Sequence, residues 1–189
     1  MNEDQKRAVE MALHGHSFLL TGQAGTGKTF TTIQIIKELK KMKKKVLVCA
    51  YTGIACTQFL QGDFQAQTVN RMFGLKDGRY THQQLSSLFM DNDPYYVDRK
   101  QKIKEADVLI IDEISMVSAR TLASVDHVCQ LAKQSKSIMG GLQIICVGDF
   151  LQLPPVPDRT VNDPGHYAFQ HESFRKIVTH SIELILVRF

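Results

Sequence analysis

The chain has 189 residues, 43% of them hydrophobic and 22% charged, with a formal net charge of +4. That is the balance of an ordinary soluble globular protein with room for one sizeable domain. No apolar run approaches the roughly 20 residues that span a bilayer, and Met1-Asn2-Glu3-Asp4 lacks the basic start of a secretory signal. The expectation is an intracellular protein with no membrane partner, placed in the nucleus or mitochondrion if the source is eukaryotic.

In chain order, His14-Gly15-His16 reads as a turn rather than a metal site. Phe18-Leu19-Leu20 then reads as a buried strand, and Phe30 to Leu39 as a helix, within a helical stretch near 30–43. Between strand and helix lies Gly22-Gln23-Ala24-Gly25-Thr26-Gly27-Lys28-Thr29, which fits the phosphate-loop pattern in full. A glycine-rich turn feeding a helix aims successive backbone N–H groups at one point, at the positive end of that helix. Glycines 22, 25 and 27 let the backbone take positive φ and approach polyphosphate closely. Lys28 would reach the β- and γ-phosphates, and the Thr29 hydroxyl would ligate Mg²⁺. ATP with Mg²⁺ is the ligand expected, held by Gly22, Ala24, Gly25, Thr26, Gly27, Lys28 and Thr29.

Lysines 37, 40, 41, 43, 44 and 45 follow. They read as the solvated end of a helix, where cations complement the macrodipole; direct nucleic-acid contact is the alternative. Further apolar runs lie at Val46–Ala50, Val108–Ile111, Leu142–Val147 and Ile182–Val187, with helix-like segments near 118–134 and 170–178. Continuous apolar strands separated by helices predict an α/β fold, a parallel sheet covered by helices on both faces. The segment near 75–104 carries Asp77-Gly78 and Asp91-Asn92-Asp93-Pro94 with weak apolar periodicity. It is read as an insertion or small subdomain at the edge of the core, with Tyr95 and Tyr96 in surface packing. The four cysteines form no C-x-x-C pair, so three are read as buried free thiols.

The run Val108–Ile111 ends in Asp112-Glu113. Ligands of open α/β sheets sit at the carboxyl ends of strands, so these carboxylates should face the phosphate loop. Asp112 is placed to hold Mg²⁺, and Glu113 to activate the attacking water. After the next strand comes Gly148-Asp149-Phe150-Leu151-Gln152-Leu153-Pro154-Pro155-Val156. Its prolines hold the loop extended, and the Gln152 amide can contact a γ-phosphate.

Together, the phosphate loop, Ile111-Asp112-Glu113-Ile114-Ser115-Met116 and Gly148–Val156 resemble the Pif family of DNA helicases. These are superfamily-one enzymes that move 5′ to 3′ along single strands, with RecD-type helicases as relatives. The resemblance covers almost the whole chain. It implies a RecA-like P-loop domain, with the 75–104 segment as the family's wedge, and single-stranded and forked DNA as partners. It implies that Gln5 reads the adenine edge and that Gln152 senses the γ-phosphate. Thr52 and Gly53, in Thr52-Gly53-Ile54-Ala55, would contact the DNA backbone. So would Thr68 and Asn70, although Asn70-Arg71 stands where the family carries His-Ser. The family's γ-phosphate arginine falls at Phe189 when counted from Leu184, and Arg188 is one position early. A second RecA-like domain, needed for translocation, is not encoded here, so the chain is expected to be the first motor domain of a longer, monomeric helicase acting in repair, recombination or telomere maintenance. A nucleotide switch that never translocates, and a small kinase, are the other classes.

Overall fold

The computed structural model describes residues 1–62 and 64–185. Helix α1 (Glu3–Leu13) leads into β1 (Phe18–Gly22), α2 (Lys28–Lys41), β2 (Val46–Ala50) and α3 (Gly53–Gln58). Then come β3 (Gln67–Thr68), α4 (Val69–Met72), α5 (His82–Met90) and α6 (Pro94–Glu105). The chain continues through β4 (Val108–Asp112), α7 (Ala119–Lys133), β5 (Gln143–Val147), α8 (Glu172–Ile177) and β6 (Ser181–Leu184). The six strands are all parallel and lie in the order β3-β2-β4-β5-β1-β6.

Helices cover both faces, and alternate residues of each strand enter different cores. Val108 and Ile110 of β4, with Ile145 and Val147 of β5, meet Ala8 and Val9 of α1 and Ile35, Ile36 and Leu39 of α2. Leu109, Ile111, Ile144 and Cys146 face the other way, toward Leu122, Val125 and Val128 of α7 and Phe174 of α8. The expected doubly covered parallel sheet is therefore what forms.

The weak apolar periodicity of the 75–104 segment conceals regular structure. It holds two helices, each opened by a side-chain cap: Thr81 with Gln84 in a capping box for α5, and Asp93 followed by Pro94 for α6. Leu85, Phe89, Tyr96 and Ile103 are buried in the same core as α7. Tyr96 is thus a core residue rather than a surface one, packed edge-on against Phe89. Tyr95 remains exposed, with the Arg99 guanidinium 3.3 Å from its ring centre. Cys49, Cys129 and Cys146 are buried and free, as expected, and Cys56 is half-buried.

Three further boundaries differ from expectation. The two-residue β3 had no signal of its own; it forms by pairing Gln67 and Thr68 with Cys49 and Ala50. The last strand spans Ser181–Leu184, with Ile185 outside it, against an expected start at Ile182, and Leu186 and Val187 of that run lie outside the described residues. Helix α2 starts at Lys28, two residues earlier than Phe30. Among the described residues, no helix is long and apolar enough to cross a membrane. The lysine run sits at the C-terminal end of α2 and before β2, with Lys41 paired to Glu38 and Lys45 to Glu105. That is the opposite edge of the sheet from the strands' carboxyl ends.

Candidate nucleotide site and nucleic-acid edge

Because every strand is parallel, the segments following β1, β2, β3, β4 and β5 emerge along one edge. Pairing puts Thr68 opposite Ala50, and Ala50 opposite Asp112. Thr68 and Asp112 are thus two strands apart, on the order of 10 Å.

The phosphate loop turns out of β1 through backbone that only glycine adopts freely. Gly22 has φ +144°, and a Cβ there would meet the Leu184 carbonyl oxygen at 2.4 Å. Gly27 has φ +87°, and a Cβ would meet Gln5 Nε2 at 2.8 Å. Thr26 is buried and braces the turn, its hydroxyl donating to the Gln23 carbonyl at 2.8 Å. Helix α2 has Gly27 as its N-cap, with no side-chain cap and no acid in its first turn. Its leading N–H groups are therefore left for an anion.

Lys28 Nζ donates to the carbonyls of Gly22 (2.5 Å) and Gln23 (2.9 Å), so the ammonium sits inside the loop it is meant to serve. Burial lowers its pKa, and the carboxylates of Asp149 and Asp112 pull it back up. Asp149 is the residue the sequence reading overlooked. It is buried, two residues beyond the end of β5, and its charge acts on Lys28. The Gly148-Asp149 pair directly after the apolar run of β5 was the available signal.

Asp112 is only 8% exposed. Burial, with a smaller contribution from the Glu113 charge, pushes its pKa up to about 6, against the Glu113 N–H bond and the charge of Lys28. Thr29 and Asp112 offer hard oxygen donors, and among the described residues no group of three or more His, Cys, Asp or Glu closes a cage around a metal. That donor set fits Mg²⁺, which takes one or two protein ligands and completes its shell with water and phosphate.

Glu113 holds a left-handed backbone (φ +54°), uncommon for a residue with a side chain. Its Oε2 accepts both the Thr52 N–H and the Thr52 hydroxyl, each at 2.9 Å. Thr52 therefore faces Glu113, and its oxygen caps α3 by accepting from the Ala55 N–H. At the far end of α3, Gln58 Oε1 accepts from the Thr29 hydroxyl at 3.2 Å. Neither pair was anticipated: the partners are 61 and 29 residues apart.

Gly53 is exposed, with open space where a Cβ would stand. Thr68 caps α4 by accepting from the Arg71 N–H. Asn70 is half-buried and lines a cleft of about 70 Å³ together with Asp77, Asp158 and Asp163, whereas Arg71 is exposed. Gln5 is engaged in a capping box with Asn2, and its amide nitrogen lies against the phosphate loop. Gln152 is exposed on the loop after β5, between the ends of β4 and β1. Gly148 holds that loop against its neighbour: a Cβ there would meet Ile114 Cγ2 at 3.0 Å. Arg188 and Phe189 lie outside the described residues.

The family model for a PIF1-like helicase matches residues 1–181. The chain belongs to the PIF1-like helicase family. A Trypanosoma brucei relative named ATP-dependent DNA helicase PIF5 is 34% identical over 164 residues, covering 84% of this chain and 16% of that protein. The crystal structure of the Candida albicans Pif1 helicase superposes with a TM-score of 0.86 at 29% identity, covering all of this chain and 40% of that one. Bacteroides Pif1 bound to single-stranded DNA gives a TM-score of 0.79 at 25% identity, over 99% of this chain and 42% of that one. The chain spans 16–27% of the length of the curated relatives it matches. The RecA-like sheet expected from the PIF1-like resemblance is therefore present.

Proposed function

We propose that the chain is the first RecA-like motor domain of an ATP-dependent DNA helicase that translocates 5′ to 3′ on single-stranded DNA. The observation that carries this reading is the convergence of an uncapped phosphate loop, the Asp112-Glu113 pair and the Gly148–Val156 loop on one sheet edge. Its support is membership of the PIF1-like family and likeness to helicases whose structures hold single-stranded or forked DNA.

Loop amides from Gly22 to Thr29 and the Lys28 ammonium cradle the phosphates, with Gln5 on the adenine side. Mg²⁺ held by Thr29 and Asp112 would neutralise charge on the β- and γ-phosphates. Water attacks the γ-phosphorus, Glu113 takes its proton, the bond to the bridging oxygen breaks, and ADP and phosphate leave. Gln152, and Arg188 if its register permits, sense the γ-phosphate. Thr52, Gly53, Thr68 and Asn70 hold the strand.

Leu151, Leu153 and Val156 are exposed beside this edge, Leu151 at 93%. They offer apolar surface to a second motor domain. Translocation needs two domains whose separation follows the nucleotide, so residues 1–189 alone bind Mg-ATP without unwinding. The parent protein works as an intracellular monomer, nuclear or mitochondrial if eukaryotic, in repair, recombination or telomere maintenance. A fork-unwinding assay on residues 1–189 beside the full-length protein tests this. Unwinding by the longer protein alone is expected; unwinding by neither, with ATP still hydrolysed, favours a nucleotide switch.

A further inference from the structure

The short helix α3 is tied at both ends to residues of the nucleotide site. Thr52, just before it, gives two donors to Glu113 Oε2, and Gln58, its last residue, accepts from the Thr29 hydroxyl. The sheet order makes the first tie consequential. Glu113 follows β4, whose neighbours are β2 and β5, and the phosphate loop follows β1, beyond β5. Binding Thr52 at the end of β2 draws the carboxylate away from the loop that holds the γ-phosphate. Two hydrogen bonds from an N–H and an O–H to one carboxylate oxygen are charge-assisted, of the stronger class.

We infer that Thr52 is a positioning residue that restrains Glu113 until a strand is bound. This inference rests on the helicase reading, in which Thr52 meets the DNA backbone. A phosphodiester oxygen accepts the same N–H and O–H that Glu113 accepts. A phosphate seated at Thr52 therefore competes with the carboxylate for those donors. Once released, Glu113 can swing toward β5 and β1 and take a proton from the attacking water. Any shift of α3 on strand binding also reaches Thr29 through Gln58, so the metal-side hydroxyl and the base respond together. Hydrolysis without DNA is thereby suppressed by a contact within the domain itself. The restraint is small enough to be displaced, because both partners are only half-buried.

The test is ATP hydrolysis by the full-length protein carrying this chain, with and without oligo-dT, in Thr52→Val, Thr52→Asp and Thr52→Ser variants. Valine keeps the shape and loses the hydroxyl. Aspartate keeps an acceptor for the α3 cap, loses the donor and repels Glu113. Serine keeps both functions. Expected is a several-fold rise in the DNA-free kcat for valine and aspartate, with the ratio of DNA-saturated to DNA-free kcat falling toward one, and wild-type behaviour for serine. Thermal melting identifies a variant that has lost its fold, and the aspartate variant then carries the test. A DNA-free kcat that stays at or below wild type in a folded Thr52→Val or Thr52→Asp protein overturns the inference. If the wild-type protein shows no stimulation by oligo-dT at all, it is the helicase reading that fails.

Discussion

Asp112→Asn should make the nucleotide-free protein more stable while weakening its grip on Mg-ATP. Asp112 is 8% exposed, and burial raises its pKa from 3.8 to about 6. A carboxyl whose folded pKa lies above its unfolded value favours the fold when protonated. That contribution is complete below about pH 4 and is lost as pH rises through about 6. Above that pH the folded chain bears the cost of a buried carboxylate, about two pKa units at 1.36 kcal/mol each, or about 3 kcal/mol. Asparagine carries no charge and avoids that cost. Urea unfolding of both proteins, without nucleotide, should show a gap of about 2–3 kcal/mol at pH 7.5 that falls to about 1 kcal/mol at pH 4.5 and toward zero below about pH 4. Added Mg-ATP should then raise the melting temperature of the wild type more than that of the variant. A variant that is no more stable at pH 7.5, or a gap of equal size at both pH values, would refute the assignment of Asp112 as a destabilising group retained for its ligand.

Lys28→Ala should abolish Mg-ATP binding without unfolding the domain, since among the described residues Lys28 donates to the Gly22 and Gln23 carbonyls within the loop itself; nucleotide titration beside thermal melting checks it, and wild-type affinity would count against the loop. Glu113→Gln should keep nucleotide binding and slow hydrolysis by about 10²–10⁴-fold, because an amide cannot take the proton; hydrolysis at the parent rate would remove Glu113 from the mechanism. Gly22→Ala should cost roughly 2–5 kcal/mol from backbone strain and overpacking, because the added Cβ lies 2.4 Å from a backbone oxygen of β6; denaturant unfolding within 0.5 kcal/mol of wild type, about the scatter of an inert surface change, would show that the turn relaxes.

The sheet was legible because four of its strands are continuous apolar runs, as strands buried on both faces must be. β3 was not, since two residues carry no periodicity and Gln67-Thr68 is a strand only through Cys49 and Ala50. Helix α6 hid for a different reason. Of its twelve residues, PYYVDRKQKIKE, Tyr96 and Ile103 are the buried ones, seven positions apart, while the exposed Tyr95 and Val97 blur the pattern. The phosphate loop was readable because its chemistry is contiguous in sequence. Thr52 with Glu113, and Gln58 with Thr29, depend on neighbouring strands that bring together residues far apart in the chain, and no local pattern announces them.

The most direct measurement of the central claim is ATP turnover by the full-length protein, titrated with oligo-dT and with blunt duplex of equal length at several salt concentrations. A motor that grips the strand through backbone contacts at Thr52, Gly53 and Thr68 should be stimulated by the single strand at lower concentration than by the duplex. The half-saturating DNA concentration should rise with salt as phosphate contacts are screened. Turnover indifferent to DNA, or stimulated more strongly by blunt duplex, would contradict a single-strand-coupled motor.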